Sequence, residues 1–262
     1  MIATAVDGTR LHYIVEGSGP PIVLVGGKTS NIAGAWWRYI PRLSQQLKVI
    51  AFDNRGSGES DKPDQPYTTE LMAGDALTVL ADAREESAHW FGLSLGGMIL
   101  QALALQQPGA VRSLILGATR CSREETAAVI AEAAELAGNP LRRYASLYHP
   151  RFIVEHGDWV EEDARRFGKM PLHAIVRQDQ AGKQHDACER LREITQPVLI
   201  LHGRQDRTVP LSRGEELVRG LPNASLEILD PAGHQFHSEQ FDRVVQLVLA
   251  FVAQVEARRR AS

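Results

Sequence analysis

The segment Gly92-Leu93-Ser94-Leu95-Gly96 constrains the fold of this chain more than any other. It follows an apolar run typical of a buried strand and precedes a stretch with helical periodicity. Glycines on both sides of the serine allow a turn so sharp that the strand and the helix nearly touch. Such a turn leaves the Ser94 hydroxyl exposed at the end of the strand and the Leu95 amide at the start of a helix.

The rest of the chain predicts an α/β protein. Continuous apolar runs alternate with helical stretches, which is typical of a parallel sheet covered on both faces. The runs lie at 22–25, 49–52, 88–91, 111–116, 197–201 and 226–229. An alternating opening with Asp7-Gly8 as its turn predicts an antiparallel hairpin before them. We therefore expect a doubly wound, mostly parallel eight-stranded sheet.

The sheet pattern stops near Arg120 and resumes at Pro197. The residues between are rich in Ala, Glu and Arg, are broken by Gly and Pro, and contain no run typical of a buried strand. We predict a core formed by 1–119 and 196–262, with 120–195 inserted as a helical cap over the edge of the sheet. The cap histidines are expected at the surface, although any of them could touch a substrate: His149, His156, His173 and His185.

Two later loops carry the partners that a reactive serine needs. A serine hydroxyl is a weak nucleophile at neutral pH and requires a base, which in turn requires an acid to orient it. Asp206 follows one apolar run and His234 follows the last one, so both belong to the sheet edge where the serine lies. We predict a triad of Ser94, Asp206 and His234. His237 is the second candidate for the base, and we interpret His202 as structural.

Backbone amides beside the serine predict a site for a developing oxyanion. The first donor is the Leu95 amide, and the second should come from the loop after the third strand. In that loop the Lys28 amide is the first choice and the Gly27 amide the next. The Lys28 ammonium either points to solvent or pairs with a carboxylate of the substrate. In the next loop, Asp53-Asn54-Arg55 is expected to be structural, with Asp53 and Arg55 paired.

Composition excludes several other functions. The net charge of −3 provides no broad basic field for nucleic acid, and no apolar segment reaches the length that spans a bilayer. We expect no membrane partner, no signal peptide, no metal and no organic cofactor, and a homo-oligomer stays open. Two cysteines in 262 residues do not indicate a disulfide framework, so a reducing cytoplasm is expected. Cys121 is interpreted as pocket wall or cap hinge.

Two other interpretations of the glycine-rich turn are possible besides a nucleophilic serine. A dinucleotide-binding fold also has a glycine-rich turn between strand and helix, but its glycines belong to the first strand, whereas these follow a late one. A binding module could keep the fold without catalysis, but the complete serine, acid and histidine set argues against that. Failure to react with a fluorophosphonate would favour the binding module.

These segments together resemble the α/β-hydrolase superfamily over essentially the whole chain. The matching segments are Asp53-Asn54-Arg55-Gly56-Ser57-Gly58-Glu59-Ser60, Gly92-Leu93-Ser94-Leu95-Gly96-Gly97, His202-Gly203-Arg204-Gln205-Asp206 and Gly233-His234. The elbow Trp90–Met98 is similar to that of 3-oxoadipate enol-lactonase-like enzymes. The resemblance implies a hydrolase of small carboxylic esters or lactones. Thioester hydrolysis and cofactor-free, non-hydrolytic use of the same site, as in a perhydrolase, a lyase or a small-molecule receptor, stay open.

One segment departs from this pattern. Most members of the superfamily carry His-Gly where this chain has Gly26-Gly27. That histidine is commonly structural, so the resemblance still implies an active enzyme. The departure affects the shape of the loop that is expected to bind the oxyanion.

Overall fold

The computed structural model describes residues 1–122, 145–167 and 170–261. Its central element is one sheet of eight strands in the order β1-β2-β4-β3-β5-β6-β7-β8. The strands are β1 (Ile2–Thr4), β2 (Arg10–Glu16), β3 (Pro21–Val25), β4 (Lys48–Phe52), β5 (Ala88–Leu93), β6 (Val111–Gly117), β7 (Val198–Gly203) and β8 (Ala224–Leu229). β2 runs antiparallel to both of its neighbours, and every other pair is parallel. The predicted fold class is confirmed.

Helices cover both faces of this sheet. The α-helices of the described residues are α1 (Ile40–Leu43), α2 (Thr69–Asp82), α3 (Leu95–Gln106), α4 (Pro150–Glu155), α5 (Gly157–Arg166), α6 (Leu172–Gln184), α7 (Leu211–Gly220), α8 (Phe236–Glu239) and α9 (Phe241–Ala261). A π-helical turn occupies Ile32–Trp36, and 3-10 turns occupy Pro108–Ala110 and Cys188–Glu193. No helix in the described ranges is long and apolar enough to cross a membrane.

The core forms two clusters, one on each face of the sheet. Successive side chains of a strand point to opposite faces, so Val23 and Val25 of β3 pack into one cluster while Ile22 and Leu24 pack into the other. Helices α2 and α3 cover the first face, and α1 and α9 cover the second. Every residue of β3, β5 and β7 is buried, which explains why these strands read as continuous apolar runs.

The chain leaves the sheet after β6 and returns at β7. The described residues between these strands form α4, α5, α6 and the 3-10 turn at Cys188–Glu193, with no strand among them. Helix α5 contacts the π-helical turn at Ile32–Trp36, so the insertion packs against the loop that follows β3. The remaining residues of the insertion, 123–144 and 168–169, lie outside the described ranges.

The expectation about the cysteines is wrong, because Cys121 and Cys188 form a disulfide. Cys121 lies where the chain leaves the sheet, and Cys188 lies where it turns back. The Ala187 amide donates to the Cys121 carbonyl at 2.8 Å, and this backbone approach brings the two Cα atoms to 4.9 Å. The disulfide therefore joins the two ends of the insertion. The expectation of a cytoplasmic location rested on unpaired cysteines and loses that support.

Candidate active site

Ser94 lies at the tip of the turn between β5 and α3. Its backbone has φ 52° and ψ −113°, a left-handed conformation that is costly for a residue with a side chain. The two flanking glycines permit this turn: a Cβ on Gly92 would lie 2.6 Å from the Gly96 backbone, and a Cβ on Gly96 would overlap the carbonyl oxygen of Val25. The serine amide donates to the Gly117 carbonyl at 2.8 Å, which anchors the turn to β6.

Asp206 and His234 meet at the same edge of the sheet. Because β7 and β8 are parallel and in register up to Gly203 and Leu229, the loops that follow them lie side by side. The Asp206 Oδ2 atom lies 2.7 Å from His234 Nδ1. The other carboxylate oxygen accepts from the Thr208 and Val209 amides, at 2.8 Å each, which fixes the direction of the side chain.

Ser94 and His234 are not joined by a hydrogen bond. Across the described ranges Ser94 Oγ forms no hydrogen bond, either with His234 or with another residue. Catalytic hydrogen bonds of free enzymes are often long and tighten when substrate binds. The pairing of Nδ1 with Asp206 leaves His234 Nε2 for the serine, and the histidine side chain is 11% exposed. The structure thus pairs Asp206 with His234 and shows no hydrogen bond from Ser94 Oγ within the described ranges.

The other two histidines of this region differ from His234. Burial against Trp36 and Tyr39 lowers the pKa of His237 to about 3, and no carboxylate of the described residues bonds to it. Its neutral, enclosed ring is less suited to act as the base. His202 is buried, with Nε2 2.8 Å from the Val209 carbonyl and 3.5 Å from Asp206 Oδ2. It braces the loop that carries Asp206, as its structural interpretation requires.

The loop after β3 lies beside the serine. A Cβ on Gly27 would be 3.3 Å from Ser94 Cβ, so this loop and the elbow are in van der Waals contact. The Leu95 amide is at the first residue of α3, where helix amides are free of intrahelical acceptors. Both amide donors predicted for the oxyanion therefore belong to segments that adjoin Ser94.

The Lys28 side chain takes neither of its two predicted directions. Its ammonium lies 2.7 Å from Asp179 Oδ1 on α6, in a pair that is about one-third exposed at each end. Asp179 also pairs with Lys183 at 2.9 Å. These two cations lower the pKa of Asp179 against the opposing effect of its burial. The lysine thus links its loop to the insertion.

The predicted pair between Asp53 and Arg55 is wrong. Arg55 is fully buried and donates through Nε and Nη2 to Asp75 at 2.5 and 2.6 Å, and through Nη1 to Asp7 at 2.9 Å. Asp53 instead accepts from the amides of Ile32 at 2.7 Å and Glu59 at 2.9 Å. Both residues are structural, as expected, but each holds a different loop.

Glu239 also belongs to this region, and the sequence did not predict it. Glu239 accepts from the Gly233 amide at 2.8 Å and from the His149 amide at 3.1 Å, so it connects the His234 loop to the insertion. Burial raises the pKa of this carboxyl to about 7, although its two backbone hydrogen bonds oppose the shift. No pattern distinguishes this glutamate from an ordinary residue in a polar stretch after His234.

The cap histidines do not share one environment. His185 is buried rather than at the surface, with Nδ1 3.0 Å from Thr69 Oγ1, and burial lowers its pKa to about 4. His173 is half-buried and bonds to the Lys62 carbonyl at 2.9 Å. His149 is also partly buried, and His156 is exposed as expected. His185 is buried because the insertion returns across the core beside the first residue of α2, Thr69.

Residues 18–247 match the alpha/beta hydrolase family. The chain belongs to this family. A protein named putative carbamate hydrolase RutD from Azorhizobium caulinodans is 30% identical over 94% of this chain and 96% of its own length. The enzyme named 3-oxoadipate enol-lactonase 1 from Acinetobacter baylyi is 25% identical over 95% and 96%. The 2-hydroxymuconate semialdehyde hydrolase of Pseudomonas putida is 30% identical over 95% and 93%.

A solved structure supports the same assignment. A hydrolase from Pseudomonas aeruginosa PA01 superposes with a TM-score of 0.87 and 25% identity, covering 96% of this chain and 97% of that one. Relatives that match nearly the whole chain are named for different reactions. The family and hydrolase activity follow from these comparisons. The bond that this chain cleaves must be argued from its own site.

Proposed function

We propose that this chain hydrolyses a carboxylic ester or a lactone of a small molecule through an acyl-enzyme on Ser94. The observation that carries the proposal is the 2.7 Å contact between Asp206 and His234 at the sheet edge where the Ser94 elbow projects. A carboxylate on Nδ1 keeps Nε2 as the basic nitrogen, which is the arrangement a serine nucleophile requires.

The proposed reaction has two acyl-transfer steps. Ser94 Oγ bonds to the carbonyl carbon while His234 Nε2 takes the hydroxyl proton. The bond to the leaving oxygen then breaks, and His234 returns the proton to that oxygen. A water molecule next attacks the acyl-enzyme, His234 accepts a proton from it, and the acid leaves as the proton returns to Ser94. Asp206 holds the ring and stabilises its charged form in both steps.

We assign the stabilisation of the oxyanion to the Leu95 and Lys28 amides. Leu95 adjoins the nucleophile at the helix start, and Lys28 follows the glycine that packs against Ser94. Losing one such donor typically costs about 3 kcal/mol of transition-state stabilisation. The proposed machinery supplies each proton step without a metal or organic cofactor.

The segment 120–195 is proposed as the cap that limits the size of the substrate, over a core of 1–119 and 196–262. The contacts of Lys28 with Asp179 and of Glu239 with His149 support this division, because they connect the insertion to loops of the site. The proposed partner is thus a small molecule that fits beneath these helices.

A carbamate is the second candidate substrate. The relative from Azorhizobium caulinodans, which matches 94% of this chain, is named for carbamate hydrolysis. A carbamate presents the same carbonyl to Ser94 and generates the same oxyanion, so the proposed triad serves it without change. An aryl carbamate loses its aryl oxygen in the first step, as an aryl ester does, but leaves a carbamoyl group on Ser94. The two substrates therefore differ in the intermediate that water must then hydrolyse.

A panel of p-nitrophenyl esters, aliphatic lactones and aryl carbamates tests the proposal. The wild-type protein should turn over at least one ester or lactone, and Ser94→Ala should abolish it. Ser212→Ala removes an exposed hydroxyl on α7 and is the matched control. Labelling by a fluorophosphonate should occur at Ser94 alone. Turnover by Ser94→Ala at the wild-type rate would rule the proposal out, and turnover of carbamates alone would favour the second candidate.

A further inference from the structure

Gln178 is the residue of α6 that is most closely tied to the loops of the site. Its side chain is fully buried, and both ends of the amide are used. Oε1 accepts from the Thr29 amide at 2.8 Å. Nε2 donates to the Arg55 carbonyl and to Ser57 Oγ, at 2.9 Å each. One side chain of the insertion thus binds the loop after β3 and the loop after β4.

The loop that Gln178 holds is strained. Thr29 has φ 63°, a conformation rare for a residue branched at Cβ, and such backbone persists only when its surroundings impose it. Its amide is bound to Gln178, and its hydroxyl donates to the Lys28 carbonyl at 2.6 Å. The peptide plane that joins Lys28 to Thr29 is therefore held from the insertion, and the Lys28 amide lies in the next plane, on the other side of the Lys28 Cα.

The side chain of Lys28 is bound by the insertion as well as its backbone. Its ammonium pairs with Asp179, the residue after Gln178. Two adjacent residues of α6 thus bind two adjacent residues of the loop. On the far side of the loop, Asn31 Nδ2 donates to the Phe167 carbonyl at 3.0 Å, so the loop is held at a third point. Of the side chains that make these three contacts, Gln178, Asp179 and Asn31, only Gln178 is buried.

We propose that Gln178 is a positioning residue that orients the Lys28 amide toward the oxyanion, and that the insertion thereby acts on the chemical step. This inference rests on the proposed function. The loop packs directly against Ser94, and a displacement of about 1 Å at such a site can cost on the order of a hundredfold in rate. Removing the Thr29 contact leaves a strained loop without the partner that imposes its shape.

The test compares three variants on the best p-nitrophenyl ester. Gln178→Met keeps the size of the side chain and removes its hydrogen bonds. Gln178→Glu restores an acceptor for Thr29 and, while burial keeps the carboxyl protonated, a donor for the Arg55 carbonyl. Arg177→Met is the matched control, because Arg177 joins the same helix to the core through Asp64 at 3.0 Å, away from the loop.

We expect Gln178→Met to lower kcat by about ten- to a hundredfold and to change KM by less than about threefold, because the lost contact acts in the transition state. Gln178→Glu should recover kcat to within about fivefold of wild type, and Arg177→Met should retain kcat. A wild-type kcat in Gln178→Met, or an equal loss in Arg177→Met, would overturn the positioning role.

Two further measurements separate the possible failures. If Gln178→Met does not fold, Gln178→Asn decides: its shorter side chain keeps an amide but withdraws it from the Thr29 amide, so kcat should fall at least about tenfold with little change in KM, and a wild-type kcat overturns the role. Fluorophosphonate labelling of the wild type reports on the proposed function itself. Absent labelling and absent turnover would remove both proposals, whereas normal labelling with a wild-type kcat in Gln178→Met would remove only this one.

Discussion

The Cα of Gly96 packs against the carbonyl oxygen of Val25, so the start of α3 and the end of β3 approach too closely for any side chain between them. This close approach places the turn that carries Ser94 next to the loop at Gly27. It also explains the glycine in physical terms, since a methyl group there would push the two segments apart.

Gly96→Ala should therefore destabilise the fold by about 2 kcal/mol or more, because buried overpacking of this kind typically costs 1–3 kcal/mol. Urea unfolding with wild-type protein alongside measures the change. Gly74→Ala is the matched control: Gly74 is exposed within α2, and nothing lies within 4 Å of its added Cβ. That substitution should stabilise by about 0.5–1 kcal/mol. Equal effects at the two sites would contradict the packing argument.

Asp206→Asn should lower kcat by about 10³- to 10⁴-fold with a small change in KM, because an amide in place of the carboxylate favours the wrong tautomer of His234. Steady-state kinetics on the same ester measures both constants. Asp242→Asn, at an exposed position in the first turn of α9, should leave them unchanged. A loss below tenfold in Asp206→Asn would mean that the acid of the triad lies elsewhere.

The sheet was predictable because its strands carry their own signal. β3 and β7 are buried on both faces and read as apolar runs, and turn residues mark their ends. The predicted runs 22–25 and 226–229 fall within Pro21–Val25 and Ala224–Leu229. The parallel order of the strands then assigns Asp206 and His234 to one edge.

Contacts between side chains that are far apart in the sequence could not be predicted. Cys121 meets Cys188, and Lys28 meets Asp179, only because the insertion folds back onto the core. No periodicity encodes the packing angle of such helices. The same limit produced the wrong partner for Arg55, since a nearby aspartate in the chain is no closer in space than one on α2.

Glu239 should make stability depend on pH in a direction opposite to that of most carboxylates. Its pKa rises from 4.5 to about 7 on folding, so the folded state retains a proton that the unfolded state has already lost. The contribution to stability is complete below about pH 4.5 and is lost as pH rises to about 7, to a total of up to about 3 kcal/mol.

Glu239→Gln removes this titration. Relative to the variant, wild-type protein should lose stability between pH 5 and pH 8, as measured by urea unfolding at both values. The comparison uses the change with pH, so a constant offset from the altered hydrogen bonds cancels. Glu86→Gln, at an exposed loop position, supplies the control. A difference that stays constant with pH would show that Glu239 does not titrate in this range.

The disulfide should stabilise the fold by restricting the unfolded chain. Cys121 and Cys188 are 67 residues apart, and the loop-closure relation gives about 4 kcal/mol for a loop of this length. At about 2–4 °C per kcal/mol for a chain of this size, reduction should lower Tm by about 10 °C. Thermal unfolding with and without dithiothreitol measures the shift.

The Cys121→Ser/Cys188→Ser double variant should melt at the lower temperature and should not respond to dithiothreitol. If oxidised and reduced wild-type proteins melt together, the closed ends of the insertion are held by packing alone, and the bond adds nothing to the fold.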